Sequence, residues 1–208
     1  MLDTILSTVD AFTRLRHEPW QNLGKVLLVG EGNMSFAKSL FYKRTGIKNM
    51  TATTFEKDRN LSDEVRNNAK TLRCMGAHTI HGVDATKLNR FLKPQKFDTI
   101  IFQFPNAGSR DAKYGHTSNH MLLRNFLRSA LEFINDNGRI LISAVDNPHY
   151  NGIFKFDDAA KFANYNSPQR VSFDPNSFKG YSHVNTNDDK SALKGHAQFA
   201  TWIFKPKT

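Results

Sequence analysis

The sequence predicts an α/β fold in which a mostly parallel β-sheet carries helices on both faces. Two observations indicate this class. Short apolar runs typical of buried strands alternate with segments whose apolar residues recur every three or four positions. The chain of 208 residues is 39 % hydrophobic, which is enough for one domain with a sizeable core, and neither an internal repeat nor a linker divides it.

The first predicted element is a helix over residues 3–16. Its apolar residues are spaced by one, three and four positions, so they fall on one helical face. The opposite face is acidic and polar, which does not suit a membrane surface. We therefore expect residues 1–23 to pack on a domain formed by residues 24–208.

Strands and helices then alternate to the end of the chain. The predicted strands are residues 25–30, 50–55, 77–83, 97–104, 139–145, 169–174 and 196–204. The predicted helices are residues 34–45, 61–73, 86–92, 118–136 and a short one near 156–165. Ser62 is the expected N-cap of the second of these, and Asp136-Asn137-Gly138 is expected to turn the chain after the fourth. Residues 97–104 form the strongest strand, because their apolar run needs cover on both faces.

The charge and cysteine content restrict the class of function. The 29 basic residues exceed the 19 acidic ones by +10, which favours a polyanionic partner, with RNA or another nucleic acid first. The single cysteine, Cys74, excludes an internal disulfide framework and a zinc site built on several cysteines. The sequence has no membrane span and no secretion signal, so we expect an intracellular monomer, cytoplasmic in a bacterium or nucleolar in a eukaryote.

The first strand ends in a glycine-containing turn. Gly30 can make a tight turn, Gly32 lets a ligand approach the backbone, and the following helix presents free N–H groups. Ser35 stands where a dinucleotide fingerprint has its third glycine, and no Gly-Lys-Ser/Thr follows, which excludes a P-loop. An ordinary strand-to-helix turn is the alternative. The candidate cofactor-binding residues here are Gly30, Glu31, Gly32, Asn33, Ser35 and Phe36.

Acidic residues follow the second and third strands. Glu56, with Lys57 beside it, comes 24 residues after Gly32, close to the spacing expected for an acid that holds a ribose. Asp84, with Ala85 beside it, could hold the amino group of an adenine ring. The alternatives are a solvated charge at Glu56 and a helix N-cap at Asp84.

The fourth strand ends in Gln103-Phe104-Pro105-Asn106, where a reacting group is expected. Gln103 and Asn106 offer amide donors and acceptors, and Phe104 and Pro105 offer flat apolar surfaces for a base. The candidate cofactor-binding residues here are Gln103 and Phe104, and a strand stopped by proline is the alternative. Taken in order, these strand ends describe a nucleoside-type cofactor, and they suit S-adenosylmethionine better than a dinucleotide.

Four segments carry a resemblance to a known family. They are Val29–Ala37, Phe97–Gly108, His120–Ala130 and Gly180–His183, and they resemble the BMT5-like Rossmann methyltransferase domain over about residues 24–206. The resemblance implies a class I methyltransferase fold with a seven-stranded sheet whose last strand is antiparallel. It implies S-adenosylmethionine as cofactor and N3 of a uridine in large-subunit ribosomal RNA as the methylated atom.

The sequence departs from the family's pattern on the acceptor side. The family usually reads Asn-Phe-Pro-His where this chain has Gln103 to Asn106, and it tends to read Tyr-Pro-Gly-Tyr-x-His-Arg around the position of Gly180. Here Phe178 and Lys179 precede that glycine, and Val184 follows His183. These changes leave the cofactor side intact and leave the target nucleotide open.

The remaining candidates concern the acceptor and RNA. Asn106 and His183 are the candidate catalytic residues, and Asp146 is a third possible base, since spacing does not choose among them. Acid-free stretches at 38–48, 87–96 and 113–128 could bind phosphates or be solvated helix faces. The polar segment 175–195 could clamp a base or be a surface loop. The candidate substrate-binding residues are Pro105, Asn106, Tyr181, His183, Lys43, Arg44 and Arg124.

An RNA base methyltransferase is the function that these features favour. Two alternatives stay open at this point. One is a non-catalytic RNA-binding protein that keeps the methyltransferase fold, and the other is a nicotinamide-dependent oxidoreductase, against which the missing third glycine counts. No metal is expected in any of these readings.

Overall fold

The computed structural model describes residues 18–43, 45–108, 112–113, 116–183 and 198–207. The helix predicted over 3–16 and the candidate Arg44 lie outside the described residues. The strands are β1 Gly24–Val29, β2 Ile47–Thr53, β3 His78–Ile80, β4 Phe97–Gln103, β5 Ala112–Lys113, β6 His116–Thr117, β7 Ile134–Val145, β8 Gln169–Ser172 and β9 Phe199–Phe204. The helices are α1 Ser35–Tyr42, α2 Asp63–Cys74, α3 Ser118–Ala130, α4 Pro148–Phe154 and α5 Phe156–Phe162.

Seven strands form one sheet in the order β3-β2-β1-β4-β7-β9-β8, while β5 and β6 form a separate hairpin. The pairs from β3 to β7 are parallel, and β9 runs antiparallel to both of its neighbours, β7 and β8. The prediction of a mostly parallel seven-stranded sheet with an antiparallel last strand is therefore confirmed. The carboxyl ends of β1, β2, β3, β4 and β7 meet at one edge, which is where ligands bind in open sheets of this type.

Two apolar cores cover the two faces of the sheet. On one face, Leu27 and Val29 of β1 pack with α3 and α5, including Phe126 and Ala159. On the other face, Val26 and Leu28 of β1 pack with α1 and α2. Because successive side chains of a strand point to opposite faces, the apolar run Val26–Val29 of β1 supplies both cores at once. Helices on both faces are thus confirmed.

The region between α3 and β7 differs from its prediction. The helix ends at Ala130 rather than at 136, and β7 already begins at Ile134. Buried Ile134 pairs with Phe97 of β4, and the register then shifts before Thr99 pairs with Arg139. The predicted turn at 136–138 is instead this irregular part of β7. Gly138 is required there, since an added Cβ would lie 2.8 Å from the Ile134 side chain.

Other boundaries follow the local signals more closely. The Oγ atom of Ser62 accepts a hydrogen bond from the Val65 backbone N–H at 3.4 Å, so it caps α2 as predicted. The helix α4 was not predicted from the sequence. Its N-cap, Asn147, accepts from the Tyr150 N–H at 2.9 Å, and Pro148 follows it at the first helical position. Among the helices that the structure describes, none has the length and apolar character of a membrane span.

Candidate active site

A cleft opens at the carboxyl ends of β1 and β4, with about 430 Å³ of space that is continuous with solvent. Three segments line the cleft: the turn after β1, the end of β4 and the segment Gly180–His183, which we call the covering segment. The lining residues are Gly30, Glu31, Gly32, Asn33, Phe36, Gln103, Phe104, Asn106, Tyr181, Ser182 and His183.

The turn after β1 needs a glycine at position 30. Gly30 has φ of +64°, and an added Cβ would lie 2.6 Å from the Phe102 ring. Glu31 follows, almost completely buried, and its Oε2 accepts a hydrogen bond from the Ala37 N–H at 3.0 Å. Burial raises the pKa of Glu31 to about 7, although the hydrogen bond from Ala37 acts in the opposite direction. Glu31 therefore caps the start of α1 and titrates close to neutral pH.

Asn33 joins this turn to its surroundings. Its Oδ1 accepts from the Ser35 N–H at 3.1 Å, and its Nδ2 donates to Glu64 Oε1 at 3.1 Å and to the Ser182 carbonyl at 3.0 Å. Its own carbonyl accepts from Asn68 Nδ2 at 2.8 Å. The turn is thus fixed to α2 on one side and to the covering segment on the other.

Hydrogen bonds and ring contacts hold the covering segment over the turn. Ser35 Oγ accepts from the Ser182 N–H at 3.0 Å and lies 2.9 Å from the Ser182 carbonyl. The Tyr181 ring lies 5.0 Å from the Phe36 ring, and the His183 ring lies 4.9 Å from the Phe104 ring. Ser182 was not among the predicted site residues. It contacts Ser35 through its backbone N–H and carbonyl, and no sequence pattern indicates such contacts.

The titratable groups of the covering segment are neutral at pH 7. Burial lowers the pKa of His183 to about 4. Burial, and the nearby Glu31 after it, raise the pKa of Tyr181 well above its ordinary value. The Tyr181 hydroxyl has no hydrogen-bond partner among the described residues. Glu31 is consequently the pocket group whose charge changes near neutral pH.

The end of β4 has strained backbone and an unpartnered side chain. Phe104 has φ of +47°, a left-handed conformation that is rare for a bulky residue and that occurs at active sites as well as in turns. Gln103 is 9 % exposed, and neither atom of its amide has a partner among the described residues. Asn106 is exposed, and its Oδ1 accepts from the Gly108 N–H at 3.0 Å.

The acids after β2 and β3 do not line the cleft. Asp84 caps the short helix Ala85–Arg90, accepting from Thr86 N–H at 2.9 Å and from Thr86 Oγ1 at 2.7 Å, as the helix-cap alternative predicted. Burial raises the pKa of Asp84, but these bonds and Lys87 outweigh it and leave the pKa below its usual value. Ala85 is buried beneath this cap.

Glu56 and Lys57, which were predicted to bind the cofactor, follow the end of β2, and neither lines the cleft. The Glu56 carbonyl accepts from the Gly82 N–H at 2.8 Å, which ties this strand end to the end of β3. Phe55, just before Glu56, is 61 % exposed at the same edge. The exposed ring of Phe55 was not predicted from the sequence. An aromatic residue at the end of a strand expected to face the cofactor is the signal that could have indicated it.

Three predicted acceptor-side residues are engaged elsewhere. Lys43 Nζ donates to the Ser177 carbonyl at 3.1 Å, and the guanidinium of Arg124 lies 3.6 Å from the centre of the Phe162 ring. Asp146 is buried and accepts two hydrogen bonds from Arg170, so it is not available as a free base. Pro105 is buried next to the cleft without lining it. Asn106, Tyr181 and His183 do line it.

The cleft fits a nucleoside-type cofactor. The glycine turn lets a ligand approach its backbone, and the unpartnered amide of Gln103 offers hydrogen bonds that the protein itself does not use. Glu56 and Phe55 extend this edge with a carboxylate and a flat apolar face. Within the described residues, no group of three or more histidine, cysteine, aspartate or glutamate side chains could hold a metal ion.

Comparison with known proteins gives related chains and folds. The chain is 30 % identical over 171 residues to heavy metal-associated isoprenylated plant protein 41 of Arabidopsis thaliana, covering 76 % of this chain and 32 % of that protein. It therefore spans about a third of that relative's length. TrmN from Thermus thermophilus has a similar fold, with a TM-score of 0.55, 14 % identity and coverage of 95 % of this chain and 48 % of TrmN.

A second structure carries the product form of the expected cofactor. The complex of DhpI with S-adenosylhomocysteine matches with a TM-score of 0.54 and 12 % identity, covering 99 % of this chain and 87 % of DhpI. A family model also matches residues 27–185, and its description is "rRNA (uridine-N3-)-methyltransferase BTM5-like". The cofactor is S-adenosylmethionine. The chain belongs to the BMT5-like family of Rossmann-like methyltransferases.

Proposed function

We propose that this protein transfers the methyl group of S-adenosylmethionine to N3 of a uridine in ribosomal RNA. The observation that carries the proposal is the cleft itself, which places the glycine turn after β1 beside the aromatic and amide groups at the end of β4. The glycine turn would hold the cofactor, which supplies the methyl group when bound. Phe104 offers an aromatic ring to a planar base at the end of β4, where the cleft is open to solvent.

The charge of the protein supports RNA as the substrate. The chain carries a formal charge of +10, and phosphate backbones dominate the affinity of nucleic acids for basic proteins. The description of the family supports ribosomal RNA and the uridine N3 atom. The family assignment favours methyl transfer over the nicotinamide-dependent alternative.

The chemistry that the site must supply is mainly alignment. Methyl transfer is an in-line displacement, and holding the two reactants in line can contribute up to roughly 7–11 kcal/mol in the best cases. The N3–H of uridine must also lose its proton. Of the candidate bases, Asp146 is held by Arg170, while His183 is a neutral but weak base and Asn106 is an amide. We therefore infer that the proton passes to solvent, and that the protein favours its loss rather than accepting it.

The first test is cofactor binding, measured as a shift in the unfolding temperature. At about 100 times its dissociation constant, S-adenosylhomocysteine should stabilise the protein by about 2.7 kcal/mol, and NADH should not. Gly32→Val should abolish the shift, because its side chain fills the space where the backbone faces the cleft. Gly152→Val, at a position where an added Cβ meets nothing within 4 Å, is the matched control and should keep the shift.

Two outcomes would contradict this part of the proposal. Stabilisation by NADH alone would favour an oxidoreductase. An unchanged shift in Gly32→Val would place the cofactor somewhere other than the cleft. If S-adenosylhomocysteine binds but no methyl group reaches RNA, the non-catalytic RNA-binding alternative takes the place of the enzyme.

A further inference from the structure

Glu31 is a buried acid without a cationic partner in the part of the protein that the structure describes. It is 4 % exposed, and its Oε2 accepts one hydrogen bond, from the Ala37 N–H at 3.0 Å. Among the described residues, no lysine, arginine or histidine side chain forms an ion pair with it. A buried carboxylate is unfavourable unless it is paired, and burial accordingly raises the pKa of Glu31 to about 7.

The acids at two other strand ends have the partner that Glu31 lacks. Asp146, buried at the end of β7, is paired with Arg170, and Asp84, after β3, lies 3.5 Å from Lys87. The described residues that line the cleft include no lysine and no arginine. Since the cleft is continuous with solvent, a cationic group of a ligand can supply the missing partner of Glu31.

The Tyr181 hydroxyl is a second polar group near Glu31 that lacks a partner. Its oxygen is shielded from solvent and has no hydrogen bond among the described residues. The Tyr181 ring lies 5.0 Å from the ring of Phe36, the residue just before the Ala37 N–H that donates to Glu31. Glu31 is also close enough to Tyr181 to raise the pKa of its phenol, after the larger effect of burial. A carboxyl and a phenol oxygen therefore line the cleft together beside the start of α1.

The chemistry of these two groups selects one part of the cofactor. S-adenosylmethionine carries positive charge on its sulfonium and on its α-ammonium group, and its own carboxylate would be repelled by an ionised Glu31. An ammonium has three N–H donors, whereas a sulfonium has none. Only the ammonium can therefore pair with the Glu31 carboxylate and also donate a hydrogen bond to the Tyr181 oxygen.

We propose that Glu31 and Tyr181 bind the α-ammonium group of the cofactor, and that Glu31 gives up its proton when the cofactor binds. This inference rests on the cofactor of the proposed function and is independent of its RNA acceptor. The proton passes from the Glu31 carboxyl to solvent, the carboxylate that remains pairs with the ammonium, and no other bond changes. Because Tyr181 belongs to the covering segment, the ammonium would join that segment to the turn after β1.

Calorimetric titration of the wild-type protein in two buffers of different ionisation enthalpy measures the released proton. At pH 7, S-adenosylhomocysteine, which has the ammonium but no sulfonium, should release about half a proton, because Glu31 is then about half protonated. 5′-Methylthioadenosine, which lacks the amino-acid part, should release none. Affinity for S-adenosylhomocysteine should rise roughly eightfold from pH 6 to pH 7.5, since only ionised Glu31 pairs with the ammonium, and affinity for 5′-methylthioadenosine should stay level.

Two variants test the two side chains separately. Glu31→Gln should release no proton and lose roughly 100-fold in affinity for S-adenosylhomocysteine at pH 7.5. Tyr181→Phe removes only the hydroxyl, so it should keep the proton release and lose roughly tenfold in affinity. Glu132→Gln, at an exposed position, and Tyr42→Phe, on the exposed side of α1, are the matched controls. Affinity for 5′-methylthioadenosine should be unchanged in all four variants, which shows that each is folded.

Other ionisable groups near the cleft are separated from Glu31 by the same comparison. Burial lowers the pKa of His183 to about 4, and the pKa of Tyr181 lies well above its usual value. Glu64 of α2 is hydrogen-bonded to the turn after β1, and Asp146 of β7 is paired with Arg170. Any proton release that remains in Glu31→Gln belongs to these groups, so the difference from wild type is the contribution of Glu31.

Several results would overturn the proposal. Binding of S-adenosylhomocysteine without proton release, or with the same release in Glu31→Gln, would show that Glu31 does not meet the ammonium. Equal release with 5′-methylthioadenosine would place the adenosine part against Glu31, and release with S-adenosylmethionine alone would assign Glu31 to the sulfonium. Wild-type affinity in Tyr181→Phe would exclude its hydroxyl. Protein that binds none of these compounds would overturn this proposal and the proposed function together, whereas proton release without methyl transfer to RNA would overturn the proposed function alone.

Discussion

At the scale of single residues, Glu31 both caps a helix and carries a titratable group with a raised pKa. Its carboxyl group caps α1 through Ala37 and also lines the cleft, where burial raises its pKa to about 7. Between its ordinary pKa of 4.5 and 7, the folded protein keeps a proton that the unfolded chain has lost. The contribution of Glu31 to stability therefore falls as pH rises through this window.

We expect Glu31→Gln to remove this dependence. The neutral amide can still accept from the Ala37 N–H, so the cap is kept. The variant should match the wild type near pH 4.5 and exceed its free energy of unfolding by about 3 kcal/mol at pH 8, as the shift in pKa implies. Denaturant unfolding at a series of pH values measures the difference.

The control and the comparison isolate Glu31. Glu132→Gln, at an exposed position, is the matched control. His183 acts in the opposite direction, since its lowered pKa makes stability rise between about pH 4 and its ordinary 6.5, but this contribution is common to wild type and variant and cancels. A Glu31→Gln protein that is less stable than the wild type at pH 8 would contradict the raised pKa of Glu31.

At the scale of elements, a cluster of aromatic rings sets the position of the covering segment. The ring of Trp20 lies 5.5 Å from that of Phe36, 5.6 Å from that of Phe173 and 5.2 Å from that of Phe178. These residues come from three distant parts of the chain. Their packing brings the chain back over α1, and Ser35 then binds the backbone of Ser182.

Ser35→Ala should loosen the covering segment without unfolding the domain. The change removes the contacts of one hydroxyl with the Ser182 N–H and carbonyl, which are worth about 1–2 kcal/mol together, so opening should become roughly tenfold more frequent. Hydrogen exchange of the Ser182 amide measures it. Ser39→Ala is the matched control on the same helix, because the buried Ser39 hydroxyl has no partner among the described residues. Equal exchange rates in the two variants would contradict the role of Ser35.

The features of the fold and the site that could be predicted are those set by residues close together in the sequence. Apart from α4 and the pair β5 and β6, the order of the described elements follows from local patterns, as do the Ser62 cap and the strand Phe97–Gln103. The sheet places Gly30 and Gln103 at one edge as expected. Parallel topology alone brings strand ends together. The glycine turn and the end of β4 were therefore accessible from the sequence, whereas Glu56, Lys57, Asp84 and Ala85, which were predicted beside them, do not line the cleft.

The features that were missed depend on contacts between distant residues. The return of Ser182 to Ser35 spans 147 positions and is made by backbone atoms. The early end of α3 arises because buried Ile134 pairs with β4, which outweighs the turn signal at residues 136–138. The stacking of Arg124 on Phe162 joins two helices and removes a cation that the charge pattern alone assigns to RNA.

At the scale of the whole molecule, the charge of +10 is only partly free for a partner. Three lysines of the acid-free stretches have internal contacts: Lys38 donates to Asn68 Oδ1 at 2.6 Å, Lys96 donates to the Ile134 carbonyl at 3.1 Å, and Lys43 donates to Ser177. In the stretch 87–96, Arg90 and Lys93 are exposed on either side of Phe91, which is itself 42 % exposed.

We predict that Arg90 and Lys93 contribute to RNA binding through phosphate contacts. The double variant Arg90→Glu, Lys93→Glu should bind poly(U) more weakly than the wild type. Its slope of log affinity against log salt should be shallower by about 0.7 for each lost contact with single-stranded RNA. Lys205→Glu, Lys207→Glu makes the same charge change beyond the end of the antiparallel β9 and is the control. A control that weakens binding equally would indicate attraction by net charge alone.

The most direct test of the central claim is methyl transfer itself. Wild-type protein is incubated with S-adenosylmethionine labelled in its methyl group and with ribosomal RNA from cells that lack this protein, and the RNA is then digested to nucleosides. We predict that the label is recovered as 3-methyluridine from large-subunit RNA and that Gly32→Val incorporates none. RNA without label, from protein that binds S-adenosylhomocysteine, would contradict the claim that the cleft catalyses methylation of RNA.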